Sequence, residues 1–209
     1  MSLRLSGSTS GYAEIDAPAV AGSNTLVLPA SNGSAYQFLR NGATAGTTEF
    51  AAAITSGTAV ASTSGTSIAF TGIPSYVKRI TVMFDQVSTN GTSAFLVQLG
   101  DSGGIETTGY VGSGSNTGTA SNNITGSTAG FILMVAAVAA NNYVGSVIID
   151  KITSNSWVSV GTLSRSSDNS FCTSAGSKSL SGTLDRIHIT TVNGTDTFDA
   201  GTINILYEG

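Results

Sequence analysis

Arg186-Ile187-His188-Ile189-Thr190 is the stretch that decides the fold. Two β-branched apolar residues alternate with three polar ones, which is the period of a strand with one face in a core and the other toward solvent. The alternation predicts Ile187 and Ile189 inward and Arg186, His188 and Thr190 outward. Ile203, Ile205 and Tyr207 repeat the pattern, and Asn193-Gly194 between the two runs is a hairpin-type turn signal. Working back along the chain, further strands are expected at 58–62, 66–70, 79–87, 94–100, 130–137, 144–153 and 157–163, with turn signals at Asn90-Gly91 and Gly103-Gly104. About nine strands at this spacing predict an antiparallel, jelly-roll-like β-sandwich over residues 57–209.

Composition supports an all-β chain. Only 10% of the 209 residues are charged, and 26 are Gly. Ser, Thr, Asn and Gly fill the polar positions, and these residues suit strands and turns rather than helices. A surface poor in Lys and Glu loses little side-chain entropy when packed against neighbours, so it suits dense assembly. It is also poorly protected against association. The 40% apolar content is enough for a core. A net charge of -4 without a basic run argues against nucleic acid as a partner. Cys172 is the single cysteine, which excludes an internal disulfide.

Residues 1–56 read differently. Short apolar pieces at 12–17, 25–28, 36–40 and 47–50 are separated by Gly, Ser, Asn and Pro29. Isolated short hairpins are marginal in water, so this segment needs a partner chain or a platform. Leu3, Leu5, Tyr12, Ile15, Leu26 and Leu28 are the residues expected to attach it. Met1-Ser2-Leu3-Arg4-Leu5 turns polar at Ser6 with no apolar stretch behind it, so release by lysis is expected rather than export by a signal peptide. The longest apolar run, Phe131 to Ala140, is shorter than the roughly 20 residues a spanning helix takes. It reads as a buried strand, with a short core helix as the alternative, and no membrane insertion is expected.

Two polar stretches stand out in the second part. Residues 111–129 are almost wholly Gly, Ser, Thr and Asn and read as a long loop, as does 164–179. Loops of that length in a compact domain are commonly functional. Tyr110, Asn116, Asn122, Asn123, Tyr143, Arg165 and Asp168 are therefore candidate tip residues for a receptor or a glycan, with aromatics to stack and amides to hydrogen-bond. Trp157 opens an alternating strand and is expected in the core.

The ionisable residues form no catalytic or ligating pattern in the sequence. His188 is the only histidine and lies mid-strand, so neither a His-based zinc site nor a Ser/His/Asp arrangement is expected. Asp196 and Asp199 follow Asn193-Gly194, where an Asx-stabilised turn is a simpler reading than a calcium loop or a carboxylate pair. Asp85, Glu106, Asp150 and Asp185 are scattered, and no Gly-Lys-Ser/Thr phosphate loop occurs. No catalytic residue, cofactor or metal is expected.

Several stretches resemble tail-fibre-like and other virion structural proteins of cyanobacterial and marine tailed phages. They are Ser6-Gly7-Ser8-Thr9-Ser10-Gly11-Tyr12 through Ala17-Pro18 to Leu26, Gln37-Phe38-Leu39-Arg40-Asn41-Gly42 into Thr48-Glu49-Phe50, Phe70-Thr71-Gly72-Ile73-Pro74, and 191–201. The resemblance implies a homotrimer or larger assembly. In it an N-terminal segment attaches to capsid or tail proteins and a β-sandwich knob projects. The two functional expectations are a non-enzymatic virion fibre or decoration, and a module binding host receptor or surface glycan.

Overall fold

In the computed structural model, residues 3–16, 18–20, 22–118, 122–139, 141–166 and 170–209 are described. The chain divides into two compact units, Met1–Ala53 and Ile54–Gly209. All regular structure among the described residues is β.

The first unit holds two hairpins. β1 (Leu3–Ser6) pairs with β2 (Tyr12–Ile15), and β3 (Phe38–Asn41) pairs with β4 (Thr48–Ala51). The β1–β2 register sets Leu3 opposite Ile15 and Leu5 opposite Ala13 on one face, with Arg4 opposite Glu14 on the other. Arg4 and Glu14 form an ion pair of 2.9 Å, and Arg40 and Glu49 one of 3.0 Å across the second hairpin. No described residue of this unit is buried.

The second unit contains β5 (Ile54–Ser56), β6 (Val60–Ala61), β7 (Ile68–Thr71), β8 (Arg79–Thr89), β9 (Phe95–Asp101), β10 (Gly104–Ile105), β11 (Tyr110–Thr117), β12 (Asn122–Gly126), β13 (Phe131–Ile132), β14 (Tyr143–Lys151), β15 (Ser156–Arg165), β16 (Ser170–Ser179), β17 (Arg186–Thr191) and β18 (Phe198–Glu208). They form two antiparallel sheets in a sandwich-like arrangement. The larger runs β12-β11-β16-β15-β14-β8-β18-β5, with β6 also on β18. The smaller runs β10-β9-β17-β7, with β13 also on β9. β5, which the sequence reading placed in the attachment segment, belongs to the larger sheet.

The deciding stretch behaves as its period requires, since Ile187 and Ile189 are fully buried. Thr190 faces away from the core but is covered, and its hydroxyl donates to the Thr66 carbonyl at 2.9 Å. The core fills the space between the sheets. Phe95 on β9 meets the rings of Phe84, Tyr143 and Phe198, with centroids at 6.4, 5.1 and 6.0 Å. Trp157 is buried with them.

Two expectations about loops are corrected. Residues 111–129 are mostly the β11–β12 hairpin, and 164–179 mostly β16. Both lack apolar alternation because their inward positions are small or polar: Gly112, Gly114, Gly176 and Ser174. A Cβ at Gly114 would lie 2.7 Å from the Ile132 carbonyl oxygen and 2.8 Å from the Met134 nitrogen. The run 131–137 therefore lies directly on the sheet, which only small residues permit. That run is strand only at β13. Beyond it Leu133, Met134 and Ala137 are buried without regular structure, as a layer that fills the core.

Candidate functional site

Register places three connections at one end of the sandwich. Thr117 pairs with Phe171, Arg165 with Ser170, and Tyr143 with Arg165. The ends of β11 and β15, the starts of β12 and β16 and the residues leading into β14 therefore lie there. Ile54, the first residue of this unit, pairs with Glu208, which pairs with Arg79, at the opposite end. The chain thus enters the sandwich at one end and presents these connections at the other.

The tip is tied together by side chains the sequence singled out. Asn116 donates from Nδ2 to the Ala136 carbonyl at 3.2 Å, and its Oδ1 accepts from the Val135 N–H at 3.0 Å. It braces 135–136 rather than facing a ligand. Tyr110 and Tyr143 were expected as tip residues for stacking, but each opens a strand with its ring inward and is fully buried, and Tyr110, paired with Lys178, lies at the opposite end. The Tyr143 hydroxyl accepts from the Val138 N–H at 2.9 Å. Burial pushes its pKa up, partly offset by Val138 and by Arg165. Arg165 is half-buried, with Nη2 3.5 Å from Ser170 Oγ. Asn122 and Asn123 are exposed at the start of β12. Asp168 lies outside the described residues.

Sequence reasoning missed Asn142 and Ser166. Asn142 donates from Nδ2 to Gln86 Oε1 at 3.0 Å, and its backbone N–H reaches Ser166 Oγ at 3.2 Å. Gln86 takes a positive φ of 55° at a bulge of β8. The described tip thus offers amides and hydroxyls, suited to neutral polar ligands such as sugar hydroxyls. Nearby on the flank, a cleft of about 260 Å³ is lined by Thr92, Ser93, Thr125 and Ser127 with apolar Ile132 and Val192.

The Asn193 turn is closed on itself. Asn193 Oδ1 accepts from the Thr195 and Asp196 N–H groups at 3.0 and 3.2 Å. The Asp196 carboxylate accepts from Asn193 Nδ2 at 2.6 Å and from the Ser93 N–H at 2.9 Å. Asp199 stands apart, exposed on β18. Among the described residues no group of three or more His, Cys, Asp and Glu is placed to hold a metal ion. His188 is half-buried, with Nδ1 2.9 Å from Gln98 Oε1, and burial lowers its pKa.

A buried charge cluster sits at the end where the chain enters, and nothing in the sequence spacing pointed to it. Lys178 is buried at the end of β16 and meets Glu106 Oε2 at 2.5 Å and the Thr108 carbonyl at 2.9 Å. Its Nζ lies 5.2 Å from the Tyr110 ring centroid. The Ser181 hydroxyl stands 2.7 Å from Glu106 Oε1 and 2.9 Å from Asp101 Oδ2. Burial pushes the Glu106 carboxyl up, but hydrogen bonds from Lys178 and Ser181 outweigh it and hold the pKa below its ordinary value. The groups satisfy one another and lock the 101–109 connection to the end of β16. The other two lysines, Lys78 and Lys151, line an open cleft of about 470 Å³ with Tyr76 at this same end.

No family model, no curated protein and no solved structure matches this chain.

Proposed function

We propose that this chain is a non-enzymatic structural protein of a phage particle, a short homotrimeric fibre or knob on the capsid or tail surface. Residues 3–53 attach it, and the sandwich projects. The observation that carries the reading is the contrast between the two units. The first exposes Leu3, Leu5, Tyr12, Ile15, Leu26 and Leu28 at 57–66% and buries none of its described residues, while the second holds a full core. A segment with that surface gains stability only by covering it against other chains. The phage assignment itself comes from the resemblance of the N-terminal and 191–201 stretches. Immunogold labelling and mass spectrometry of purified particles test it. The chain is expected in intact virions, and its absence from them would end the proposal.

A second reading has a specific observation behind it. The exposed amides of Asn122 and Asn123 lie at the end opposite the one where the chain enters, where a projecting knob would meet a host. In this reading the tip binds a host surface glycan. Binding of the native assembled protein to a glycan array is the expected result, with loss on changing Asn122 and Asn123 to Ala. An array without signal removes this reading and leaves the structural one.

A further inference from the structure

We propose that the outer face of the larger sheet is a surface by which copies of this chain pack against one another. One row across that face reads Ser113, Ala175, Val160, Ile148, Thr81, Leu206. The next row toward the tip reads Ser115, Thr173, Thr162, Ser146, Met83, Asn204. Neither row carries a charge. Val111, Ile124, Val160 and Phe171 on the same face are 54–77% exposed. Charge appears only at the margins. Asp85 lies toward the tip, and Arg79 is tied to Asp150 at 2.6 Å and Glu208 at 3.5 Å toward the other end.

A sheet face meant for water normally carries Lys or Glu, which keep other chains away. This face carries short hydroxyl and β-branched side chains instead, which lose little rotamer freedom when covered. The occupant follows from charge and shape. A face without charge offers nothing to a basic or acidic partner. It is where two copies of a chain of net charge -4 can approach without like charges meeting. Three broad sheet faces of this composition can close around a threefold axis with their uncharged rows turned inward. Phe171 at the margin is the only aromatic on these strands that faces outward, so the two central rows give a glycan no ring to stack on. The partner is therefore a second copy of this chain. The inference rests on the self-association in the preceding reading and gives it an address, but it does not depend on the phage assignment.

The test uses the full chain in sedimentation velocity and light scattering across a concentration series. Val160→Asp and Thr162→Lys each place a charge at the centre of the face, at positions where an isolated subunit tolerates one; circular dichroism and the melting temperature establish that both fold. Leu5→Asp in β1 runs in parallel. Wild type is expected as an oligomer, with each face variant weakening association at least about tenfold, as for a central interface position. A Val160→Cys thiol is expected to alkylate slowly in the concentrated sample and fast on dilution. If wild type is an oligomer that both face variants leave intact and the Val160→Cys thiol reacts fast throughout, the inference is overturned. Self-association would then belong to β1–β4, where Leu5→Asp would disrupt it. A wild type monomeric at every concentration overturns the inference and the self-association reading together.

Discussion

The Tyr110 hydroxyl accepts from the Leu99 N–H at 2.6 Å inside the core and lies 3.1 Å from the Glu106 carbonyl. Tyr110→Phe would leave that N–H of β9 without its side-chain partner. A loss of about 1–3 kcal/mol is expected, read as a lower urea midpoint at unchanged slope. His188, Glu106 and Asp185, the last held by its hydrogen bonds from Arg186, make stability fall on acidification. Burial depresses the His188 pKa, so the unfolded chain takes up its proton first. Its contribution is complete above about pH 6.5 and is lost as pH falls through the folded value. The Glu106 carboxyl is also held below its ordinary value, so its contribution is complete above about pH 4.3 and is lost below it. Melting temperature against pH should show two declines; His188→Gln removes the upper, and Glu106→Gln reduces the lower, which Asp185 shares. At this scale the sequence was legible where alternation was clean, as at Ile187 and Ile189. It misled at Tyr110 and Tyr143, because a tyrosine beside a polar stretch looks the same whether its ring turns toward core or solvent.

The β11–β12 hairpin shows why elements were harder to read than single residues. Strands are recognised by apolar residues at every second position, and here those positions are Gly112, Gly114 and half-buried Asn116. The apolar partner that belongs over them arrives from elsewhere, as Ile132, Leu133 and Met134. One stretch therefore looked too polar for a strand, and the other apolar enough to be one throughout. β14, β15, β17 and β18 were legible because each supplies its own inward apolar row. Gly114→Ala tests the explanation. Its methyl would meet backbone atoms of 132–134 that cannot rotate away. A loss of about 1–3 kcal/mol is expected, or roughly 2–4 °C in melting temperature per kcal/mol. Ser113→Ala, next to it on the outer face, should be close to neutral in the isolated subunit.

Across the whole chain the two units should differ in protection. Hydrogen exchange on the dilute protein is expected to be complete within seconds to minutes for residues 3–53. Amides of β8, β9, β14 and β17 should report the global stability, because their side chains are the core. Slow exchange in 3–53 of a monomer would contradict a segment that needs partners. The shortness of the first strands is legible in the sequence, whereas the charge cluster around Lys178 is not, since its members come from separate parts of the chain. The lysines have a practical consequence. Lys178 is buried, and Lys78 and Lys151 stand where the chain enters the sandwich. A biosensor surface or a fluorophore coupled through lysine side chains will therefore grip the sandwich by that end. The amide-rich tip is left facing the solution, oriented for binding measurements without any engineered tag.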